Sequence, residues 1–153
     1  MSGPSAGVRV VAVDAQTGRE LRIAVLRPEQ DPGEPMYARE RDPATLHFAA
    51  RGEDGEVLAV GSAMLEGDPR EPRPGDWRVR GMATDPQRRG RGLGTLVLAA
   101  IEAAARERGA ARLWCNARTP ARGFYERAGF TVEGEEFEIP GIGPHFVMSK
   151  PLG

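Results

Sequence analysis

Short apolar segments, separated by turns rich in glycine, proline and charge, follow one another along the whole chain. About seven of them are rich in β-branched or aromatic residues and have the length of strands. These segments are 8–13, 45–50, 57–65, 77–84, 111–116, 130–138 and 145–150. Asp54 and Gly55, between the second and third segments, are a strong hairpin signal, so we expect those two strands to pair antiparallel.

The longest helical pattern runs from about Thr95 to Arg108. Its apolar side chains recur every three or four residues, which is the spacing of one helix face. They are Val97, Leu98, Ile101, Ala104 and Ala105. Glu102 and Arg106 lie four residues apart on the opposite face, and Gly109 suits a left-handed residue after the helix end. Because this helix connects the fourth and fifth strands, we expect those strands to be parallel, with a right-handed crossover.

Two shorter helices are predicted from the residues at their starts. Thr17 and Glu20 have the spacing of a capping box, and the helix that they begin should end near Leu26, before a proline. Thr119 as N-cap, followed by a proline at the first helical position, begins the other helix, which should end at Gly129. The order of strands and helices predicts an α/β domain.

The length and charge of the chain limit its function. At 153 residues it suits one domain. With 21 Lys and Arg against 22 Asp and Glu, the net charge of −1 provides no overall positive field for nucleic acid or an anionic membrane. Any anion site must therefore be local.

The cysteine content and hydropathy point to a cytoplasmic protein without a bound metal. Cys115 is the single cysteine, which excludes an intrachain disulfide and argues against a structural zinc site. Residues 1–7, which we predict to be a flexible N-terminus, contain no apolar run. No stretch of about 18 apolar residues occurs, so we expect neither a signal peptide nor a membrane span.

A turn rich in glycine and arginine lies between the fourth strand and the longest helix. Gly90, Gly92 and Gly94 carry no side chain, so the backbone N–H groups of the turn can approach a ligand closely. At the positive end of a helix dipole such donors favour a pyrophosphate, and Arg89 and Arg91 could add charged contacts. The alternative is an ordinary strand-to-helix turn on an arginine-rich chain.

Three known kinds of phosphate-binding or nucleic-acid-binding segment fit this turn poorly. A dinucleotide-binding Gly-x-Gly-x-x-Gly motif would need glycine in place of Thr95 or Val97. A P-loop needs a lysine in the turn, and the only lysine is Lys150. An Arg-Gly segment that binds nucleic acid would be expected as repeats in a disordered tail, whereas this turn lies between two regular elements.

Two motifs in the chain resemble those of one known family. The segment Arg89-Gly90-Arg91-Gly92-Leu93-Gly94 resembles the Arg/Gln-x-x-Gly-x-Gly/Ala signature of the GNAT superfamily of acetyl-CoA-dependent N-acetyltransferases. The run from Asn116 through Phe124-Tyr125 to Gly129-Phe130 is similar to the family's second motif. The resemblance covers nearly the whole chain. It implies a single GNAT-like α/β domain over residues 8–153, with a mixed, mostly antiparallel sheet of about seven strands and helices on both faces.

The same resemblance implies a set of site residues, with acetyl-CoA as the co-substrate. The backbone of Met82, Ala83 and Thr84 would pair with the pantetheine arm, because the family splays the fourth and fifth strands apart there. The backbone amides of the turn would hold the pyrophosphate; they belong to Arg89, Gly90, Arg91, Gly92, Leu93, Gly94 and Thr95. Asn116 would hydrogen-bond the cofactor arm, and Tyr125 would lie near the sulfur.

The implied mechanism is direct transfer in a ternary complex, in which a neutral amine attacks the thioester. The N–H of Met82 would stabilise the oxyanion, and Tyr125 would protonate the departing thiolate. The acceptor would be a small-molecule or peptide amine, bound by residues 28–41 and 135–145. We expect no nucleic-acid or membrane partner, and a homodimer is left open. The alternative function is a non-catalytic acyl-CoA sensor or interaction module of the same fold.

Several further residues have both a functional and a structural interpretation. His145 is a candidate base or substrate contact, although a lone histidine is more often structural, and His47 is expected to be structural. Trp77 and Arg80 could line the acceptor side of the site. The structural alternative is that Trp77 packs in the core and Arg80 lies on the surface. The acidic residues of 133–138 could attract a cationic amine, or form a solvated strand face.

Overall fold

A seven-stranded sheet runs through the structure, a computed structural model that describes residues 7–29 and 35–153. The strands are β1 (Arg9–Val13), β2 (Leu46–Arg51), β3 (Val57–Leu65), β4 (Asp76–Thr84), β5 (Arg112–Arg118), β6 (Thr131–Ile139) and β7 (Gly143–Pro151). Their order in the sheet is β1-β2-β3-β4-β5-β7-β6. Every neighbouring pair is antiparallel except β4 and β5, which are parallel. The predicted mixed, mostly antiparallel sheet is confirmed.

Three α-helices pack on the two faces of this sheet. They are α1 (Arg19–Leu26), α2 (Leu93–Glu107) and α3 (Arg122–Arg127). The apolar side chains of α2 share a core with Ala50 and Ala59, whereas those of α1 pack with Ala49 and Val60. Because successive side chains of a strand point to opposite faces, the two helices lie on opposite sides of the sheet. The prediction of helices on both faces is confirmed.

The predicted caps of the two short helices were wrong. Thr17 does not cap α1: its hydroxyl donates to Asp14 Oδ1 at 2.8 Å, and the N-cap is Gly18, in the left-handed conformation. Thr119 opens a separate 3₁₀ turn before α3, and its hydroxyl donates to Glu136 Oε2 at 2.7 Å. In both places the threonine hydroxyl, which the sequence pattern predicted to cap a helix, donates its hydrogen bond to a nearby carboxylate instead.

Strand and helix limits agree more closely with prediction. All predicted strand ends lie within two residues of those observed, and α2 begins two residues before the expected Thr95. Residues 1–6 of the predicted flexible N-terminus lie outside the described residues, as do residues 30–34 of the expected acceptor region. Within the described ranges, no helix has both the length and the apolar character needed to cross a membrane.

A buried ionic cluster joins α1 to the sheet. Glu40, only 1% exposed, pairs with Arg19 and with Arg22, whose Nη1 lies 3.3 Å from Glu40 Oε2. Arg22 also donates to Ser62 Oγ at 3.4 Å, and that hydroxyl lies 2.6 Å from His47 Nδ1. Burial lowers the pKa of His47, so the ring is neutral at pH 7. Because a buried charge is costly without a partner, this cluster makes the position of α1 depend on Glu40.

We therefore expect Glu40→Gln to lower the free energy of unfolding by about 3 kcal/mol, because two buried guanidinium groups lose their carboxylate. Urea denaturation measures the change. Glu135→Gln, at an exposed position of β6, is the matched control and should change stability by less than about 0.5 kcal/mol. Equal losses for the two variants would contradict a stabilising role for the cluster.

Candidate active site

A cleft opens where β4 and β5 separate. The two strands pair only over three positions, Asp76 with Arg112, Trp77 with Leu113 and Arg78 with Trp114. Beyond Arg78 neither strand pairs with the other, although β4 continues to Thr84 and β5 to Arg118. The cleft between them has a volume of about 260 Å³ and is lined by both strands, α3, the end of α1 and the β6–β7 turn. The splayed strands expected from the family resemblance are therefore present.

A β-bulge lies in β4 at the edge of this cleft. Val60 pairs with Ala83 and Ser62 with Arg80, so Gly81 and Met82 together face a single residue of β3. Gly81 has φ +66°, and a Cβ there would lie 2.8 Å from Arg22 Nε, which donates to the Gly81 carbonyl at 3.4 Å. Sequence reasoning missed the bulge. A glycine inside a predicted strand is the signal that could have found it.

The glycine turn presents free backbone donors at the start of α2. Gly90 and Gly92 have φ of +82° and +74°, and a Cβ at either position would meet no atom within 4 Å. It is the backbone conformation, and not crowding, that favours glycine here. No side chain caps the first N–H groups of α2, and in the described part of the chain Arg89 and Arg91 form no ion pair. Free N–H groups at the positive end of a helix dipole form an anion site.

Tyr125 closes the side of the cleft formed by α3. Its ring is 6% exposed and makes edge contacts with Phe124 and Phe130, at centroid distances of 5.0 and 5.3 Å. The hydroxyl lies beside the Cys115 thiol. Burial raises the pKa of Tyr125 well above its usual value, and burial raises the pKa of Cys115 to about 12. Both groups stay protonated at neutral pH, so Tyr125 can donate a proton and Cys115 is a poor nucleophile.

The structure brings together only part of the predicted site. The cleft is lined by Met82, Ala83, Thr84, Gly94, Asn116 and Tyr125. The other residues of the turn, from Arg89 to Leu93 together with Thr95, adjoin the cleft through Gly94 without lining it. The Oδ1 atom of Asn116 accepts a hydrogen bond from Arg70 Nη2 at 2.8 Å, which leaves the amide N–H groups for another partner.

His145 lines the cleft beside the β6–β7 turn. It is 4% exposed, and its Nδ1 lies 2.7 Å from the carbonyl oxygen of Gly143. Because a carbonyl only accepts, Nδ1 must carry the hydrogen, so in the neutral ring Nε2 is the hydrogen-bond acceptor. His47, by contrast, is part of the buried cluster beneath α1 and does not line the cleft.

The acceptor end contains residues that sequence reasoning had not singled out. Met36, Tyr37, Ile139 and Ile142 line the cleft and lie in the two regions expected to bind the acceptor. Four arginines also line it, and only Arg80 had been a candidate. The four are Arg27, Arg78, Arg80 and Arg118. Trp77, the other candidate of β4, packs into the core under α2 instead. The described residues hold no cluster of His, Cys, Asp or Glu that could bind a metal ion.

Comparison with known proteins gives a consistent family match. Residues 15–130 match the model described as the acetyltransferase (GNAT) family. A relative from Bacillus subtilis (strain 168), described as the uncharacterized N-acetyltransferase YitI, is 31% identical over 145 residues, which cover 95% of this chain and 97% of the relative.

Solved structures show the same fold. Escherichia coli ElaA has a TM-score of 0.73 and 18% identity, with 94% of this chain and 99% of that chain covered. An aminoglycoside 6'-N-acetyltransferase complexed with coenzyme A has a TM-score of 0.69 and 14% identity, with 95% and 97% covered. At these identities the likeness shows the fold alone.

Gly92→Ala should weaken coenzyme A binding about tenfold or more, because a β-carbon disfavours the left-handed conformation by about 1–2 kcal/mol and so displaces the N–H groups of the turn. Gly55→Ala is a matched control: Gly55 has φ +79°, its added Cβ also meets no atom within 4 Å, and it lies in the β2–β3 turn. Isothermal titration calorimetry should find unchanged affinity in this control. Equal affinity for both variants would show that the turn does not hold the cofactor.

Proposed function

The chain belongs to the acetyltransferase (GNAT) family, and from this premise we propose that it transfers an acetyl group from acetyl-CoA to a primary amine, directly within a ternary complex. The observation that carries the proposal is the divergence of β4 from β5, which opens a cleft that leads to the uncapped start of α2. A donor with a long arm and a pyrophosphate fits such a cleft. The aminoglycoside N-acetyltransferase of the same fold, which is complexed with coenzyme A, supports this donor class.

The donor lies along β4 in this proposal. Past Arg78 the β5 side of β4 has no strand partner, so the backbone of Met82, Ala83 and Thr84 is available to pair with the pantetheine arm. The amides from Arg89 to Thr95 hold the pyrophosphate, with Asn116 as a hydrogen-bond donor to the arm.

The reaction forms a C–N bond and breaks a C–S bond. The neutral amine attacks the thioester carbonyl, and the N–H of Met82 stabilises the oxyanion of the tetrahedral intermediate. Collapse of the intermediate expels the thiolate of coenzyme A, which takes the proton of the Tyr125 hydroxyl. The proton released by the amine returns to the tyrosinate by way of solvent, so that the overall reaction is balanced. The Tyr125 hydroxyl carries its proton at neutral pH, as a general acid must before the thiolate forms.

His145 is the base in this mechanism. An aliphatic amine has a pKa of about 10 and is mostly charged at pH 7, so it must lose a proton before or during attack. The other titratable side chains that line the described cleft are arginines and tyrosines, which do not accept a proton at this pH. In the neutral ring the Nε2 atom of His145 is free to accept that proton, because the hydrogen on Nδ1 is donated to Gly143.

An assay of coenzyme A release against a panel of amines tests the function. Acetyl-CoA at about a hundred times its Kd should stabilise the fold by about 2.7 kcal/mol, and at least one amine should be turned over. Binding without turnover of any amine would favour the alternative, a non-catalytic acyl-CoA sensor. No stabilisation by acetyl-CoA or coenzyme A would refute both.

Tyr125→Phe should lower kcat by about 10²-fold or more, because the thiolate loses its proton donor. The affinity for acetyl-CoA and the melting temperature should change little, since only the hydroxyl is removed. Steady-state kinetics under conditions in which chemistry limits the rate, together with calorimetry, measure the two effects. An unchanged kcat would remove Tyr125 from the mechanism.

His145→Gln should lower kcat/KM at pH 7 by about 10²-fold. The difference from the unmodified protein should narrow near pH 10, where about half of the aliphatic amine is already neutral and needs no base. A pH–rate profile of the two proteins measures this convergence. A loss that stays constant with pH would indicate a structural role for His145.

A further inference from the structure

The acceptor end of the cleft is rich in cationic donors. Arg27, Arg78, Arg80 and Arg118 line it, and among the described residues no Asp or Glu does. Arg78 pairs with Glu66 at 2.8 Å. The other three, which we call the arginine cluster, form no ion pair with any described carboxylate. Glu29 lies beside two of them on the adjoining surface and still makes no ion pair.

The contacts of the arginine cluster orient its charges without neutralising them. Arg27 Nη1 donates to the carbonyl of Met36, and Arg118 Nη2 donates to that of Leu26, each at 2.7 Å. Arg80 lies over the Tyr37 ring, 4.8 Å from its centroid. Uncharged partners hold the guanidinium groups in place, and the positive charge remains.

Burial and mutual repulsion disfavour the positive charge of the arginine cluster. Burial, with repulsion from Arg78, lowers the pKa of Arg80 to about 10, and burial together with Arg27 lowers the pKa of Arg118. Both groups still carry their charge at neutral pH. An anion placed between them would remove the repulsion and offset the loss of solvent.

The fully buried arginines among the described residues, which lie outside the cleft, have carboxylate partners. Arg22 pairs with Glu40, and Arg112 pairs with Asp76 and Glu133, both at 2.8 Å. The half-buried arginines of the cluster line a cleft that offers no such carboxylate.

Two buried polar atoms of residues in the cleft lack a close hydrogen-bond partner. Of the buried side-chain polar atoms in the described part of the chain, Tyr37 Oη and Arg78 Nε have no hydrogen-bond partner, and both residues line the cleft. The Tyr37 hydroxyl is nonetheless close to Ser62, whose Oγ can accept one more hydrogen bond besides its contacts with His47 and Arg22. Arg78 Nε remains a buried donor without a partner among the described residues, which adds to the excess of donors at this end of the cleft.

The arginine cluster is separate from the pyrophosphate turn. Arg27 follows α1, Arg118 is bonded to the last residue of α1, and Arg80 lies against Tyr37. The turn precedes α2, which packs on the opposite face of the sheet. An anion bound by the cluster is therefore a different group from the pyrophosphate.

We propose that the acceptor amine carries an anionic oxygen group, a carboxylate or a phosphate, which is bound by Arg80 together with Arg27 and Arg118. This substrate class rests on the acetyl transfer proposed above. The cluster also disfavours a positive charge nearby, so it promotes the neutral form of the amine that attacks.

Matched substrates test the proposal in the coenzyme A release assay. Amino acids are compared with their amides, and aminoethyl phosphate with ethanolamine, which distinguishes a carboxylate from a phosphate. We expect one anionic series to have a kcat/KM at least about tenfold above that of its uncharged partners. Equal use of the charged and uncharged amines, or a preference for polyamines, would overturn the proposal.

Variants of Arg80 test whether the preference for the anionic amine arises from this residue. Arg80→Gln should reduce kcat/KM for the anionic amine about tenfold or more and change that for the uncharged partner less than about threefold. Arg80→Lys should keep part of the preference, because it keeps the charge and loses the planar fork. Arg9→Gln, the same change at an exposed position of the edge strand β1, should leave both values unaltered. A uniform loss for both amines would assign Arg80 a structural role instead.

A binding experiment separates this proposal from the proposed function. N-acetyl amino acids, N-acetylaminoethyl phosphate and the matching uncharged amides are added to the complex with coenzyme A, and the melting temperature is measured. Only the anionic compounds of one series should raise it, and Arg80→Gln should abolish that shift while the shift due to coenzyme A persists. Anion-dependent stabilisation without turnover would retain the anion site and refute acetyl transfer. Turnover of amines with neither anion preference nor anion-dependent stabilisation would refute the anion site alone.

Discussion

The ion pair between Arg22 and Glu40 is the interaction on which the active-site geometry depends. Arg22 is fully buried and connects Glu40, Ser62 in β3 and the carbonyl of Gly81 in β4. It thus holds α1 against the sheet and contacts the bulge at the edge of the cleft. Since an unpaired buried charge is strongly destabilising, neither partner can move without the other. The end of α1, which carries Arg27 into the cleft, is fixed by the same contacts.

The divergence of β4 and β5 creates one cleft with two chemically different ends. Toward α2, the available groups are backbone amides and the hydroxyl of Tyr125, which are neutral donors. Toward α1, they are guanidinium groups and the Tyr37 hydroxyl. This division follows from the sheet, because side chains on opposite faces of β4 and β5 meet different helices. A donor and an acceptor can therefore approach the same point from environments of different charge.

Local patterns predicted the elements well and their caps poorly. Strand lengths and the apolar spacing of α2 are properties of a few consecutive residues, and their predicted limits agree with the structure to within two residues. Thr17 and Thr119 had the correct spacing for N-caps, yet each hydroxyl binds a carboxylate that lies closer. Asp14 is itself local, but Glu136 is 17 residues away, beyond the reach of any local pattern.

The sequence by itself determined the order of elements, the glycine turn before α2 and the family motifs that contain Tyr125, because each is encoded in contiguous residues. The tertiary structure alone decided the acceptor end. Arg27, Tyr37, Arg80 and Arg118 come from four separate parts of the chain, and none belongs to a motif that predicts their proximity. They meet because the bulge at Gly81, the divergence of two strands and the docking of α1 bring them to one cleft. Such proximity depends on the register and crossing of distant elements, which residue spacing does not specify.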